Sequence, residues 1–171
     1  MEKIDMRIGI ISDTHDRLEL IDNIVRRLNE EKLDLVLHAG DYIAPFVVER
    51  FRPLNMKMIG VLGNNDAERT LLTEKFKQID KQITGKFAEI IADGLKIALL
   101  HGEEDLLLNS IIKTGYYDVV VHGHTHRAEI RREGNTVIVN PGEVCGYLSN
   151  QSTYAILNTE PFDVKICLID K

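Results

Sequence analysis

Seven side chains in this sequence could hold metal ions, and they fall in an unusual order: Asp13, His15, Asp41, Asn64, His101, His124 and His126. The densest stretch is His122-Gly123-His124-Thr125-His126, where His124 and His126 are two residues apart at the end of an apolar run. Imidazoles so placed reach two ions, or one ion from two sides. Imidazole, carboxylate and amide oxygen without thiolate suit Mn, Fe, Co, Ni or Zn rather than Cu(I) or an iron–sulfur cluster. The donors are too many for one tetrahedral zinc. With one bridging carboxylate and a bridging water they satisfy two octahedral ions about 3.5–4 Å apart. Two divalent ions against Asp13 and Asp41 leave excess positive charge, which complements a phosphate ester and lowers the pKa of a bridging water toward ~7.

These residues must be positioned by strand ends. Residues 6–11, 33–37, 56–62, 95–100 and 116–121 are apolar and rich in β-formers, and read as buried strands. Each runs into a polar cluster, and ligands in open α/β sheets collect beyond the carboxyl ends of strands. All six histidines, His38 and His122 included, lie in or beside these clusters. Gly40, Gly63, Gly102 and Gly123 adjoin them and permit tight turns and close backbone approach. Taken singly, Asp13 is a helix N-cap, Asp41 a turn residue and Asn64 a left-handed turn residue. Those plainer readings would all have to hold at five strand ends at once. His38 reads as a satisfied core histidine or a support to a ligand, and His122 as orienting its neighbours. Asn140 and Gly142 are candidates to line the site, Arg127 a surface residue, and 103–105 a negative first helical turn.

Between the strands, a helix is expected with Asp16 as N-cap, Glu19 at the capping-box position and an apolar stripe from Leu18, Leu20, Ile21, Ile24, Val25 and Leu28. A short helix over 44–51 carries Pro45 in its first turn. The pattern over 67–83 predicts a helix with Leu71, Leu72, Phe76 and Ile79 facing in, and a further helix is expected over 103–114, closed by Gly115. Asp93-Gly94 between 87–92 and 95–100 is a hairpin signal. Residues 127–132 and 136–139 flank a turn at 133–135, residues 140–143 form a loop, and 153–157 and 162–169 are the last strands. The expected fold is a four-layer α/β/β/α sandwich, two mixed β-sheets with helices on the outer faces, in one domain over 1–171.

Composition limits the function classes. A net charge of −6 argues against an extended nucleic-acid footprint, and the absence of Trp against a base-stacking platform. No apolar run approaches the ~20 residues of a membrane span. Residues 1–5 lack the basic and apolar regions of a signal peptide, so the chain reads as cytoplasmic. Cys145 and Cys167 form no CxxC pair. The oligomeric state stays open, a homo-oligomer included.

The blocks Asp13-Thr14-His15, Gly40-Asp41, Gly63-Asn64-Asn65-Asp66, His101-Gly102 and Gly123-His124-Thr125-His126 resemble, in order and spacing through roughly residues 6–142, the calcineurin-like metallophosphoesterase family. The short length resembles its small prokaryotic phosphodiesterase branch, which shares its fold with a retromer subunit. The resemblance implies one metal held by Asp13, His15, Asp41 and His126, and a second by Asp41, Asn64, His101 and His124, with Asp41 bridging. It implies two divalent ions, Mn or Ni or alternatively Fe, Co or Zn. A bridging hydroxide would attack phosphorus in line with the leaving oxygen of a small phosphate ester. Asp41, Asn64 and Asn65 are the candidate catalytic residues. The family's third block usually reads Gly-Asn-His-Asp/Glu, and Asn65 stands where that His would help the leaving group. An amide donates a hydrogen bond to a phosphoryl oxygen but delivers no proton. General acid help is worth ~10²–10⁴-fold, so good leaving groups such as aryl phosphates are expected, and diesters over monoesters. Two rival classes are a non-catalytic protein-binding scaffold on this fold, which would be expected to lack a ligand, and a mononuclear zinc amide hydrolase, disfavoured because HExxH and HxHxDH are absent.

Overall fold

The computed structural model describes residues 5–169; the signal-peptide reading of the N-terminus falls almost wholly outside them. The element order is β1 (Arg7–Ile11), α1 (Leu18–Glu30), β2 (Leu35–His38), a 3-10 helix (Pro45–Phe51), β3 (Lys57–Gly60), α2 (Arg69–Gln78), β4 (Gln82–Ile83), β5 (Phe87–Ala92), β6 (Leu95–Leu100), α3 (Asp105–Lys113), β7 (Val119–Val121), β8 (Ala128–Glu133), β9 (Thr136–Pro141), β10 (Thr153–Asn158) and β11 (Asp163–Leu168). One sheet has the order β11-β10-β1-β2-β3-β4, the other β5-β6-β7-β9-β8. Both are mixed: β1, β2, β3 and β4 run parallel, β10 is antiparallel to both β1 and β11, and β6, β7 and β9 run parallel between antiparallel β5 and β8.

Three apolar cores define four layers. Between the sheets, Ile8, Ile10, Leu35 and Leu37 meet Ile97, Leu99, Val119, Val121, Val137 and Val139. On the outer face of the first sheet, Ile21, Ile24 and Leu28 of α1, Val47 and Phe51 of the 3-10 helix, and Leu72 and Phe76 of α2 pack over Ile11, Val36 and Met58. On the outer face of the second, Leu108 and Ile112 of α3 cover Ala98, Leu100, Val120 and Ile138. The period-2 alternation along each strand thus sends neighbours into different cores. Fully burying one such side chain stabilises by about 1.5–3 kcal/mol.

The expected sandwich is therefore observed, with local corrections. The helix expected over 67–83 ends at Gln78, and Gln82–Ile83 pairs parallel with β3 as an edge strand. Two residues are too few to display an alternation. Leu71 is exposed, because the stripe of so short a helix reduces to Leu72 and Phe76. Asp16 is no side-chain cap: α1 begins after Arg17 without one, and the Asp16 carboxylate instead accepts from Tyr147 Oη. The helix over 44–51 is 3-10 in type. Asn140 and Pro141 belong to β9 rather than to a loop. The Asp93-Gly94 turn forms as expected, both residues at positive φ.

Candidate metal centre

Five strands, β1, β2, β3, β6 and β7, deliver their carboxyl ends to one edge of the sandwich. The segments beyond them are stitched by backbone hydrogen bonds. Asp13 N–H donates to Gly40 O (3.0 Å), His15 N–H to Asp41 O (3.0 Å), Val61 N–H to His38 O (3.0 Å) and Gly123 N–H to His101 O (2.9 Å). Five of the seven ligand candidates have left-handed backbones: Asp13 (φ 51°), His15 (47°), Asp41 (65°), His124 (67°) and His126 (61°). Such conformations cost of order 1–3 kcal/mol each and persist where surrounding structure imposes them. Two glycines are required by close approach. A Cβ on Gly63 would overlap the Asp41 carboxylate, and one on Gly123 would overlap Ser12 Oγ and Asp13 Oδ2.

All seven residues come together. His15 Nε2 lies 3.5 Å from Asp41 Oδ2 and 3.9 Å from Asp13 Oδ1. His101 Nε2 is 3.4 Å from Asp41 Oδ2, and His126 Nε2 is 3.3 Å from Asp13 Oδ1. His124 Nδ1 is 3.0 Å from Asn64 Oδ1. His124 N–H donates to Asp13 Oδ2 (3.1 Å), which joins the two halves of the cluster. Coordinating atoms of Asp13, His15 and Asp41 fall within 4.8 Å of one another, as do those of His15, His126 and Cys145.

Asp13 Oδ1, His15 Nε2 and His101 Nε2 are buried without a hydrogen-bond partner. An unsatisfied buried polar group costs about 1–3 kcal/mol, and here three of them face one small volume. Tyr42 Oη and His122 Nε2 are also unpartnered. The donor set, nitrogen and oxygen with one central carboxylate, fits divalent first-row metals.

Electrostatics carry the same imprint. Burial lowers the His15 pKa, but Asp13 and Asp41 beside it reverse the effect and raise it to about 9. His101 is raised too, burial being outweighed chiefly by Asp41. Burial would raise Asp41, yet His101 and His15 hold it well below the usual carboxylate range. With no cation, the carboxylates draw protons onto the imidazoles. A divalent cation would replace those protons.

The supporting residues divide into read and missed. His38 lies beneath the cluster: Gly40 N–H donates to Nδ1 (3.1 Å), so Nε2 donates to Thr14 Oγ1 (3.1 Å). Its ring stacks on Tyr42, and burial keeps it neutral, with a pKa of about 3. His122 donates from Nδ1 to Gly123 O. Asn140 pins the turn before His126 by donating to Gly123 O and Thr125 Oγ1, both at 2.9 Å. Arg127 is exposed. Asn65 is tied to Asp41, its N–H donating to Oδ1 (2.9 Å) and its Nδ2 to Oδ2 (2.7 Å).

Two carboxylates were not singled out. Asp66 is buried and accepts from the N–H groups of Asp41, Tyr42, Ile43 and Gly63, holding the Asp41 turn against the Asn64 turn. The fourth place of Gly63-Asn64-Asn65-Asp66 was the available signal for it. Glu143 accepts from His126 Nδ1 at 2.6 Å, and no local pattern marks it.

Comparison with known proteins bears on this geometry. Residues 6–161 match the calcineurin-like phosphoesterase superfamily domain. The chain is 42% identical over 156 residues to phosphodiesterase MJ0936 of Methanocaldococcus jannaschii, covering 91% of this chain and 94% of that protein. It is 25% identical over 178 residues to phosphodiesterase YfcE of Escherichia coli K12, covering 93% and 91%. Among solved structures, an archaeal phosphodiesterase superposes with a TM-score of 0.90 at 39% identity, over 95% of this chain and 99% of that one. Vps29 of Cryptosporidium parvum superposes at 0.74 with 18% identity, over 98% and 99%, a likeness of fold alone. With five strand-end blocks converging as described and the match running through them, the chain belongs to the calcineurin-like phosphoesterase superfamily.

Proposed function

We propose that this chain, acting as a single domain, is a phosphodiesterase dependent on two divalent cations. Asp13, His15, Asp41 and His126 would hold one, and Asp41, Asn64, His101 and His124 the other. The observation that carries this reading is the convergence of Asp13 Oδ1, His15 Nε2 and His101 Nε2, buried and unpartnered, around Asp41. A scaffold that never bound cations would bear their cost with no return. When bound, such a pair neutralises charge on a phosphoryl group and acidifies water for in-line attack on phosphorus.

The chain's own residues supply the rest. Asp41 sits between the halves, with Oδ2 within 3.5 Å of both His15 and His101. Asn65 orients that carboxylate by two hydrogen bonds. Asn64 and Asn65 are exposed on the open side, where a small phosphate ester would arrive. With an amide where the family usually has histidine, the chain has no proton donor there. Substrates with good leaving groups, aryl diesters above all, follow. The names of the relatives MJ0936 and YfcE support diester hydrolysis. No helix among the described residues is long and apolar enough to cross a membrane. Both cysteines are free, in keeping with a cytoplasmic setting.

The test is a bis-aryl phosphodiester assay on chelator-treated protein reconstituted with Mn²⁺ or Ni²⁺, with metal content measured in parallel. Restored hydrolysis with about two ions per chain supports the reading. Absence of hydrolysis with every divalent ion rejects it.

A further inference from the structure

Glu143 lies beyond the seven candidate ligands, and its carboxylate gathers five donors. Oε2 accepts from His126 Nδ1 (2.6 Å), Cys145 Sγ (3.0 Å) and Tyr147 N–H (3.0 Å). Oε1 accepts from the N–H groups of Leu148 (2.9 Å) and Ser149. The side chain is fully buried. Gly142, at φ 80°, makes the bend that turns it inward: a Cβ there would overlap Thr153 Oγ1.

The two groups of donors belong to different parts of the site. His126 presents its other nitrogen, Nε2, to Asp13 Oδ1 at 3.3 Å. Since Nδ1 donates to Glu143, the lone pair of a neutral ring lies on Nε2, the atom aimed at the cluster. The backbone donors belong to 147–149, which seats Tyr147 beside His15 with ring centroids 5.8 Å apart. Tyr147 is further braced by its hydroxyl on Asp16 Oδ1 (2.8 Å) and by Arg17 over its ring (5.1 Å). It stays half-exposed, and Leu148 beside it is 71% exposed. Together they form an aromatic and apolar lip next to one end of the cluster.

We propose that Glu143 is a positioning residue that performs both tasks: it sets the tautomer and direction of His126, and it holds the Tyr147–Leu148 lip where an aryl substituent of the ester would rest. The proposal rests on the metal-dependent reading above. An outer carboxylate behind a ligand histidine raises its basicity, and losing one costs 10–100-fold in metal affinity. Glutamine has one carbonyl oxygen and a donating NH₂, so Glu143→Gln cannot accept from both His126 and the backbone donors. Aspartate keeps the acceptors on a shorter stem.

Calorimetric titration of chelator-treated protein with Mn²⁺ alone tests this, alongside KM and kcat for a bis-aryl diester and thermal melting. Glu143→Gln is expected to weaken the tighter Mn²⁺ association by about 10–100-fold and to raise KM. Glu143→Asp is expected to recover part of both. Unchanged Mn²⁺ affinity in folded Glu143→Gln, with only a lower Tm, would overturn the proposal by making Glu143 structural. If the wild-type protein itself takes up no Mn²⁺, the metal-dependent reading fails instead. Should the variants not fold, ¹⁵N correlation spectra of the wild-type imidazoles decide. A proton on His126 Nδ1 is expected, and a His126 ring protonated on Nε2 alone overturns the proposal.

Discussion

The two halves of the cluster are built differently. On one side, Asp13 is fully buried, with Oδ2 accepting from Ser12 Oγ (2.6 Å), and His126 is backed by the Glu143 carboxylate. On the other, His101 is backed by the neutral Ala39 carbonyl (2.8 Å), and Asn64 is an exposed neutral amide beside half-buried His124. Asp41 is common to both. On the proposed reading, the first half, with buried Asp13 and Glu143, would be the one that retains a cation. The second, with exposed Asn64 and half-buried His124, would be the one a substrate phosphate approaches. One cluster would thus separate holding from exchanging.

Four changes break or sharpen this contrast. Asp41→Ala removes the shared carboxylate and should take diester hydrolysis to background while leaving the circular dichroism of a folded sandwich. Surviving activity would sink the idea that Asp41 joins the halves. Next, Asp13→Ala should reduce the bound metal more severely than His124→Ala, whose protein should keep close to one ion per chain by elemental analysis. Equal losses would erase the distinction. Asn65→His restores a proton donor on the open side. Hydrolysis of alkyl diesters should rise relative to aryl diesters, within the ~10²–10⁴-fold that general acid catalysis supplies. An equal change for both would mean that leaving-group protonation is not limiting.

The smallest effect concerns pH. In metal-free protein the His15 pKa is raised from 6.5 to about 9. A raised folded-state value stabilises fully below 6.5 and is lost as pH climbs through about 9. Melting curves with chelator should therefore fall across that window. With Mn²⁺, which needs the neutral imidazole, the fall should be absent. A chelated protein whose Tm is flat from pH 6.5 to 9 would contradict the charge coupling of His15 to Asp13 and Asp41.

The layered fold was legible because β1, β2, β6 and β7 are short continuous apolar runs, as strands buried on both faces must be, and each of these strands stops at a polar cluster. The ligand candidates were legible for the same reason, since strand ends expose chemistry at fixed places. Hidden features depended on distance or brevity. Glu143 meets His126 across 17 residues. β4 is a two-residue strand inside a helical pattern. Asp16 sits where a cap would, but Tyr147, 131 residues away, claims its carboxylate. Local patterning foretells which segment reaches the site, whereas the partners that orient it come from tertiary packing.

Diffraction from crystals grown with Mn²⁺, measured at the manganese absorption edge, tests the central claim most directly. The account predicts two anomalous peaks about 3.5–4 Å apart, flanking the Asp41 carboxylate, one toward Asp13 and His126 and the other toward Asn64 and His124. No peak beside Asp41, or a single ion bound elsewhere, would contradict it.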